Sequence, residues 1–370
     1  METPRVPLND PKRQNLALQK EITHSVERIL ERGRYILGPE HDEFEREFAA
    51  FCGTKACVAV ANGTDALELA LRAIDAGAGD EVIVAANAGM YSTIACNLVN
   101  AIPVYVDVDD SLTLSPGMIA EAVGPRTKAV IVTHLYGKLG DVDGIRDAVS
   151  RHKPERVWLI EDCSQAHGAV RRGSRAGAFG DIGTFSFYPT KNLAALGDGG
   201  ALVTNDDALA GRLRLLRQYG WESRYNSVVA RGRNSRMDEL QAAILRIKLP
   251  RLDEWNHVRR EVIRRYMDAS RGSLLRFPHA PEQDFVAHLC VVRHPDRAQA
   301  RRHFEQKGIA TDIHYPINDY DQVTMRSISW RGTSMTVTER SSKEIFTLPC
   351  FAEMTEAEIE RVCAALRDLP

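Results

Sequence analysis

Lys191 lies between an aromatic run, Thr184-Phe185-Ser186-Phe187-Tyr188, and the glycine-rich stretch Gly197-Asp198-Gly199-Gly200. A lysine held against apolar surface has its charged form disfavoured, so its pKa falls and the free amine can condense with a carbonyl. A solvated loop lysine would satisfy the same spacing. What argues for chemistry lies 29 residues upstream, where Val157-Trp158-Leu159-Ile160 reads as a buried strand ending on Glu161-Asp162. A strand-end carboxylate followed at a distance by a sheltered lysine is the pair that pyridoxal phosphate (PLP) chemistry needs. One group serves the pyridinium nitrogen and the other the aldehyde.

A third feature bears on the same chemistry. Ala61-Asn62-Gly63-Thr64-Asp65 joins an apolar strand to the helical pattern Ala66-Leu67-Glu68-Leu69-Ala70-Leu71. Glycine lets a ligand approach the backbone, the threonine hydroxyl can donate, and a helix N-terminus offers unpaired N–H groups to a phosphate. The same residues would also serve as a plain N-cap. Ser186 is a further candidate phosphate donor, or a strand serine satisfied by its own backbone.

The elements that must position these groups follow from periodicity. Helices are expected over 12–32 and 40–51, broken by Gly33 and Gly38-Pro39. From 56 to about 205, short apolar strands (56–60, 82–85, 103–107, 128–133, 157–160, 182–187 and 200–204) alternate with helices. That pattern predicts an α/β sheet, mostly parallel, between helical layers. Helices at 206–218, 236–249 and 252–268 follow, and strand 286–293, helix 296–307, a loop at His314-Tyr315-Pro316 and helix 355–367 close the chain. The organisation expected is a helical arm and large cofactor-binding domain over 1–250 and a smaller C-terminal α/β domain over 251–370. A net charge of −2 over 370 residues leaves no basic face for nucleic acid. The seven cysteines contain no C-x-x-C pair, which favours a reducing cytoplasm over a disulfide framework. Polar, proline-broken Met1 to Gln19 reads as neither signal peptide nor membrane span.

With these features in place, the runs Asn62-Gly63-Thr64-Asp65-Ala66-Leu67, Thr133-His134-Leu135-Tyr136-Gly137, Glu161-Asp162-Cys163-Ser164-Gln165-Ala166-His167-Gly168-Ala169, Phe185-Ser186-Phe187-Tyr188-Pro189-Thr190-Lys191-Asn192-Leu193 and Asn234-Ser235-Arg236-Met237-Asp238-Glu239-Leu240-Gln241 resemble the DegT/StrS-type nucleotide-sugar aminotransferases, a branch of the fold-type I PLP enzymes. The resemblance implies that Lys191 holds the cofactor aldehyde and later carries the proton between substrate and cofactor carbons. It also implies that Asp162 keeps the ring nitrogen protonated, that Gln165 meets the ring near its 3′-oxygen, and that Gly63, Thr64 and Ser186 hold the phosphate. Asn234 would reach the phosphate from the second subunit of a homodimer. Met90 or Tyr91 would lie over the ring, and the residues leave that choice open. His134 is expected to bond backbone, and His167 lacks partners at metal-ligand spacing, so no metal is expected.

Within that family, Gly232-Arg233-Asn234-Ser235-Arg236 and Leu252-Asp253-Glu254-Trp255-Asn256 resemble enzymes that aminate C3 of a dTDP-linked 3-keto-6-deoxyhexose, with L-glutamate as donor and the pyridoxamine phosphate form between half-reactions. Arg231, Arg233, His314 and Tyr315 are the expected substrate contacts. Asn318-Asp319-Tyr320-Asp321-Gln322 departs from the family's usual continuation of that last loop. C4 amination of a GDP- or UDP-sugar, amination of a keto-inositol, and a catalytically silent regulator on the same fold are the competing readings. Dehydratase relatives carry histidine in place of the lysine, and a nucleotide-binding oxidoreductase would need a G-x-G-x-x-G that is absent.

Overall fold

The structure, a computed structural model, describes residues 5–369; residues 1–4 of the polar N-terminal stretch lie outside it. Seven strands of the large sheet are β1 (Ala56–Val60), β2 (Glu81–Ala85), β3 (Ile102–Val106), β4 (Thr127–Thr133), β5 (Trp158–Asp162), β6 (Ile182–Ser186) and β7 (Gly200–Thr204). Three more follow: β8 (Cys290–Arg293), β9 (Arg331–Gly332) and β10 (Ile345–Leu348). The large sheet runs β1-β7-β6-β5-β4-β2-β3-β9, antiparallel at β1/β7 and β7/β6 and parallel elsewhere. The mixed, mostly parallel α/β sheet expected from the alternation of elements is therefore the one observed. Strands β1, β2 and β7 are buried along their whole length, as strands covered on both faces must be.

One layer packs helices Gly63–Ala73, Tyr91–Val99 and Asp207–Leu216 against the sheet through Leu67, Leu71, Cys96 and Leu213. On part of the other face, helix Pro39–Cys52 brings Phe44 and Phe48 against Phe185 and Phe187 of the aromatic strand, Phe48 and Phe185 meeting edge-on at 4.9 Å. Such aromatic pairs contribute about 0.5–1.5 kcal/mol beyond their buried area. Because side chains alternate along a strand, burying Phe185 and Phe187 turns Ser186 and Tyr188 to the other side. Beyond Pro250, helix Leu252–Ala269 packs on helix Glu356–Arg367 and on the antiparallel pair β8/β10, around Tyr266, Phe304 and Phe346.

The differences from expectation include the following. The first helical stretch is two helices, Pro11–Ala17 and Gln19–Arg32, joined at Leu18, and the strand expected at 286–293 begins only at Cys290. All seven cysteines are free and buried. No helix among the described residues is long and apolar enough to cross a membrane.

Candidate active site

Helix Gly63–Ala73 starts where β1 ends. Asn62 caps it, Oδ1 accepting from the Asp65 N–H at 2.8 Å, so the N–H groups of Gly63 and Thr64 precede the first intrahelical bonds. A side chain at residue 63 is excluded, since a Cβ there would fall 2.5 Å from Ser186 Cβ at the end of β6. Three strand ends thereby converge on one cavity of about 420 Å³, lined among others by Gly63, Thr64, Tyr91, Asp162, Gln165, Ser186 and Lys191.

Glu161 and Asp162 are adjacent on β5 and point to opposite faces. Glu161 is fully buried and accepts from the N–H groups of Gly177 (3.0 Å), Phe179 (2.8 Å) and Gly180 (2.6 Å) and pairs with His134 Nε2 at 2.8 Å. Asp162 lines the cavity; one of its oxygens accepts from the Ser164 N–H at 3.1 Å. Lys191 follows in a loop tied down by Lys191 N–H to Tyr188 O and Ala195 N–H to Phe187 O, both 2.8 Å. Its ammonium is pushed down to about 8 by burial, against the opposing charge of Asp162. No hydrogen bond holds its Nζ among the described residues.

Gln165 is fixed at both ends of its amide: Oε1 accepts from the Tyr136 N–H at 2.7 Å and Nε2 donates to Tyr315 Oη at 2.9 Å. Met90 and Tyr91 part at the turn before helix Tyr91–Val99: Met90 adopts φ 73° and packs, partly buried, against the core, whereas Tyr91 lines the cavity. Tyr91 and Tyr315 meet edge-on at 6.2 Å, and both line a second cavity with His314 and Lys191.

Three expected residues lie elsewhere in this chain. Asn234 lines a separate depression shared with Asp198, which also borders the Lys191 cavity. Arg233, an expected substrate contact, is ion-paired within this chain with Asp65 (3.2 Å) and with Glu68. Arg231 is exposed at φ 65°, and among the described residues its hydrogen bond is the one its carbonyl accepts from Arg72 Nη1 at 3.0 Å.

His134 keeps its expected backbone bond, Nδ1 accepting from the Gly140 N–H at 3.0 Å, and adds the contact to Glu161. With Cys163 these two bring three ligand-type atoms within 4.8 Å of one another, but protein donors already occupy the lone pairs of both His134 and Glu161. His167 is buried between the rings of Phe185 and Phe187, and burial drives its pKa down to about 3. Sequence reasoning missed Asp319. It is fully buried, takes the Met90 N–H at 2.9 Å and the Thr93 hydroxyl at 3.1 Å, and thereby caps the helix that carries Tyr91. Its place in a loop that departs from the family pattern was the available signal.

An anion cradle at a helix start, a carboxylate on a strand end and an unbonded, weakly basic amine on one cavity are the donor set that a phosphorylated pyridine aldehyde requires. These residues therefore fit PLP. Residues 16–367 match the model of the DegT/DnrJ/EryC1/StrS aminotransferase family, PLP-dependent transaminases, and the chain belongs to that family. It is 41% identical over 370 residues to the dTDP-3-amino-3,4,6-trideoxy-alpha-D-glucose transaminase of Streptomyces venezuelae, covering 99% of this chain and 97% of that one. It is 43% identical over 363 residues to the dTDP-3-amino-3,6-dideoxy-alpha-D-galactopyranose transaminase of Aneurinibacillus thermoaerophilus, covering 98% of each. The crystal structure of S. venezuelae DesV in complex with ketimine intermediate superposes with a TM-score of 0.93 at 40% identity, covering 99% of this chain and 98% of that one.

Proposed function

We propose that this aminotransferase moves an amino group from L-glutamate to C3 of a dTDP-linked 3-keto-6-deoxyhexose. The observation that carries the chemistry is the unbonded Lys191 amine beside Asp162 in the Lys191 cavity. The choice of sugar rests on the two 3-amino-sugar transaminases that match nearly end to end. Gly63, Thr64 and Ser186 would hold the cofactor phosphate, Asp162 would keep the proton on the ring nitrogen, and Tyr91 would lie against the ring. Bound there, PLP supplies an electron sink for the substrate carbon that loses its proton. Lys191 Nζ would take that proton and hand it to the carbon on the other side of the transferred nitrogen. With a pKa near 8 it does so without the cost of deprotonating an ordinary ammonium. Gln165, held from both sides, keeps the ring oxygen's surroundings rigid.

The same reading divides the chain into a cofactor-holding part, 1–250, and a smaller part, 251–370, whose loop at His314 and Tyr315 faces the substrate. It places the enzyme in the cytoplasm as a homodimer, with Asn234 of each subunit completing the other's phosphate site. Mixing Lys191→Ala and Asn234→Ala proteins under subunit exchange should then regenerate activity, one intact site per mixed dimer. An active monomer, or a mixture that stays dead, defeats the shared site.

The substrate is tested with a panel of dTDP-, UDP- and GDP-linked keto-sugars and scyllo-inosose, glutamate as donor, each product analysed for the aminated carbon. Turnover of the dTDP-3-keto sugar at C3 is expected. Amination at C4 refutes the regiochemistry, turnover of the inositol alone refutes the nucleotide-sugar reading, and no turnover of any member favours a silent regulator.

A further inference from the structure

A second cavity of about 240 Å³ lies beside the first and shares Tyr91, Tyr188 and Lys191 with it. Its polar lining is Asn9, Thr190, His288, His314, Tyr315 and Thr347 together with the shared residues; among the described residues Lys191 is the only lysine or arginine on it, and no carboxylate lines it. Such a wall has nothing to clamp a carboxylate or a phosphate. It suits an uncharged, hydroxyl-bearing group.

One side chain there has its hydrogen-bonding sense dictated by neighbours. The Asn256 Nδ2 lies 2.8 Å from the carbonyl of His167, which can only accept, so Asn256 Oδ1 is left to accept from Asn192 Nδ2 at 2.8 Å. Asn192 Nδ2 gives its second hydrogen to Val286 O at 2.9 Å. Both amide donors of Asn192 are thereby used, and its Oδ1, 3.1 Å from His288 Nδ1, must accept. His288 Nδ1 accordingly carries the proton. Burial, and the cations of Lys191 and Arg259, hold the ring neutral, well below the usual histidine range. The Nε2 of His288 is consequently a lone-pair acceptor. The ring is 7% exposed, lines this cavity, and has no partner at Nε2 among the described residues.

We propose that His288 is a specificity-determining substrate contact: its Nε2 accepts a hydrogen bond from a ring hydroxyl of the sugar, and the relay Asn256–Asn192 keeps it in the accepting tautomer. The inference rests on the nucleotide-sugar reading above. Asn192 follows Lys191 directly, so the reactive amine and the hydroxyl acceptor are set by one short loop and stay in register.

The experiment uses the PLP-loaded protein and measures calorimetric Kd for dTDP-6-deoxyglucose, which has no carbonyl to react, and for its 2-deoxy and 4-deoxy counterparts. One deoxygenation should weaken binding about tenfold, the loss of one well-placed hydrogen bond. That difference should vanish in His288→Phe and return in part in His288→Gln, whose amide can both donate to Asn192 and accept. In turnover, the ratio of kcat/KM for the keto-sugar to kcat/KM for glutamate should fall about tenfold in His288→Phe, by the same arithmetic. Equal binding of all three sugars to the unaltered protein overturns the proposal without any variant, as does a deoxygenation penalty that persists in His288→Phe. If the unaltered protein neither binds nor turns over dTDP-sugars, the nucleotide-sugar reading itself fails and this inference with it.

Discussion

Two lysines, Lys191 and Lys248, are both driven by burial from the ordinary lysine range to about 8, and they teach different things. The amine of Lys248 is bonded beneath the active-site loop, donating to Ala194 O at 2.8 Å and Asn15 Oδ1 at 2.7 Å. The amine of Lys191 has no such partner and opens on two cavities. The neighbouring carboxylates divide in the same way: Glu161 is saturated by three N–H groups and His134, while Asp162 fronts the cavity. A depressed pKa or a buried charge therefore does not mark a site by itself. What marks it is an unspent lone pair or charge next to empty space.

The largest expected effect separates the two lysines. Lys191→Ala should abolish transamination, whereas Lys248→Met should remain active but lose stability, since the Ala194 carbonyl is left without its donor, at about 1–3 kcal/mol. Borohydride reduction of the loaded enzyme and peptide mapping checks the first half, with the pyridoxyl label expected on Lys191. Label on Lys138 or Lys248 would break the distinction. Denaturant melts of Lys248→Met check the second.

Next come the carboxylates. Asp162→Ala should lower kcat by about 10²–10³, the range seen when a group stabilising developing charge is removed, with little change in melting temperature. Glu161→Gln should do the reverse. An amide has one acceptor oxygen where three N–H donors now converge, and the cost is on the order of 3 kcal/mol from buried groups left unsatisfied. Paired kcat and urea-unfolding measurements decide; a kinetic loss in Glu161→Gln that matches Asp162→Ala would erase the contrast.

A smaller effect concerns Asp319, whose burial raises its carboxyl from 3.8 to about 7 despite the donors it collects from Gly89, Met90 and Thr93. A native pKa above the unfolded value means that the folded state holds the proton more tightly. The stabilisation is complete below about pH 4 and is lost as pH rises through 7. The shift corresponds to on the order of 4 kcal/mol at most. Asp319→Asn keeps an acceptor for Met90 and can donate to Thr93, so it should match the unaltered protein near pH 4 and exceed its melting temperature by pH 8.5. A constant difference across that range would remove the titration from the account.

Much of this was legible in the sequence because it is local. Strand–glycine–helix at Asn62-Gly63-Thr64, the alternation that buries Phe185 and Phe187 and frees Ser186, and the Glu161-Asp162 strand end all depend on spacing within a few residues. What was not legible depends on distant partners. Helix Thr336–Glu344 reads as polar chain because its cap is Asp107, which accepts from the N–H groups of Val337 and Thr338 at 2.8 Å from 230 and 231 residues away. Spacing does not separate Met90 from Tyr91; the left-handed turn at Met90 sets one side chain against the core and the other on the cavity. His288 carries no local signal, since its tautomer is set by Asn192, 96 residues earlier.

The smallest prediction applies the same contrast to Arg231 and Arg233, two of the three arginines of the 231–236 stretch. Arg233 is spent on Asp65 and Glu68, so its removal should destabilise the start of helix Gly63–Ala73 rather than act on substrate directly. Arg231 has no ion pair among the described residues, is exposed, and sits in the left-handed region at φ 65°, where glycine is at ease and arginine is strained. Arg231→Gly therefore removes a free cation while relieving backbone strain, by up to about 1 kcal/mol. If Arg231 meets the substrate's diphosphate, KM for the nucleotide-sugar should rise about fivefold, as expected for one exposed charge pair worth about 1 kcal/mol. The rise should shrink as salt screens the pair. Melting temperature should hold or increase, which separates this loss from the one at Arg233. A KM unchanged at low ionic strength would return Arg231 to the solvated surface and leave the recognition of the diphosphate to other residues.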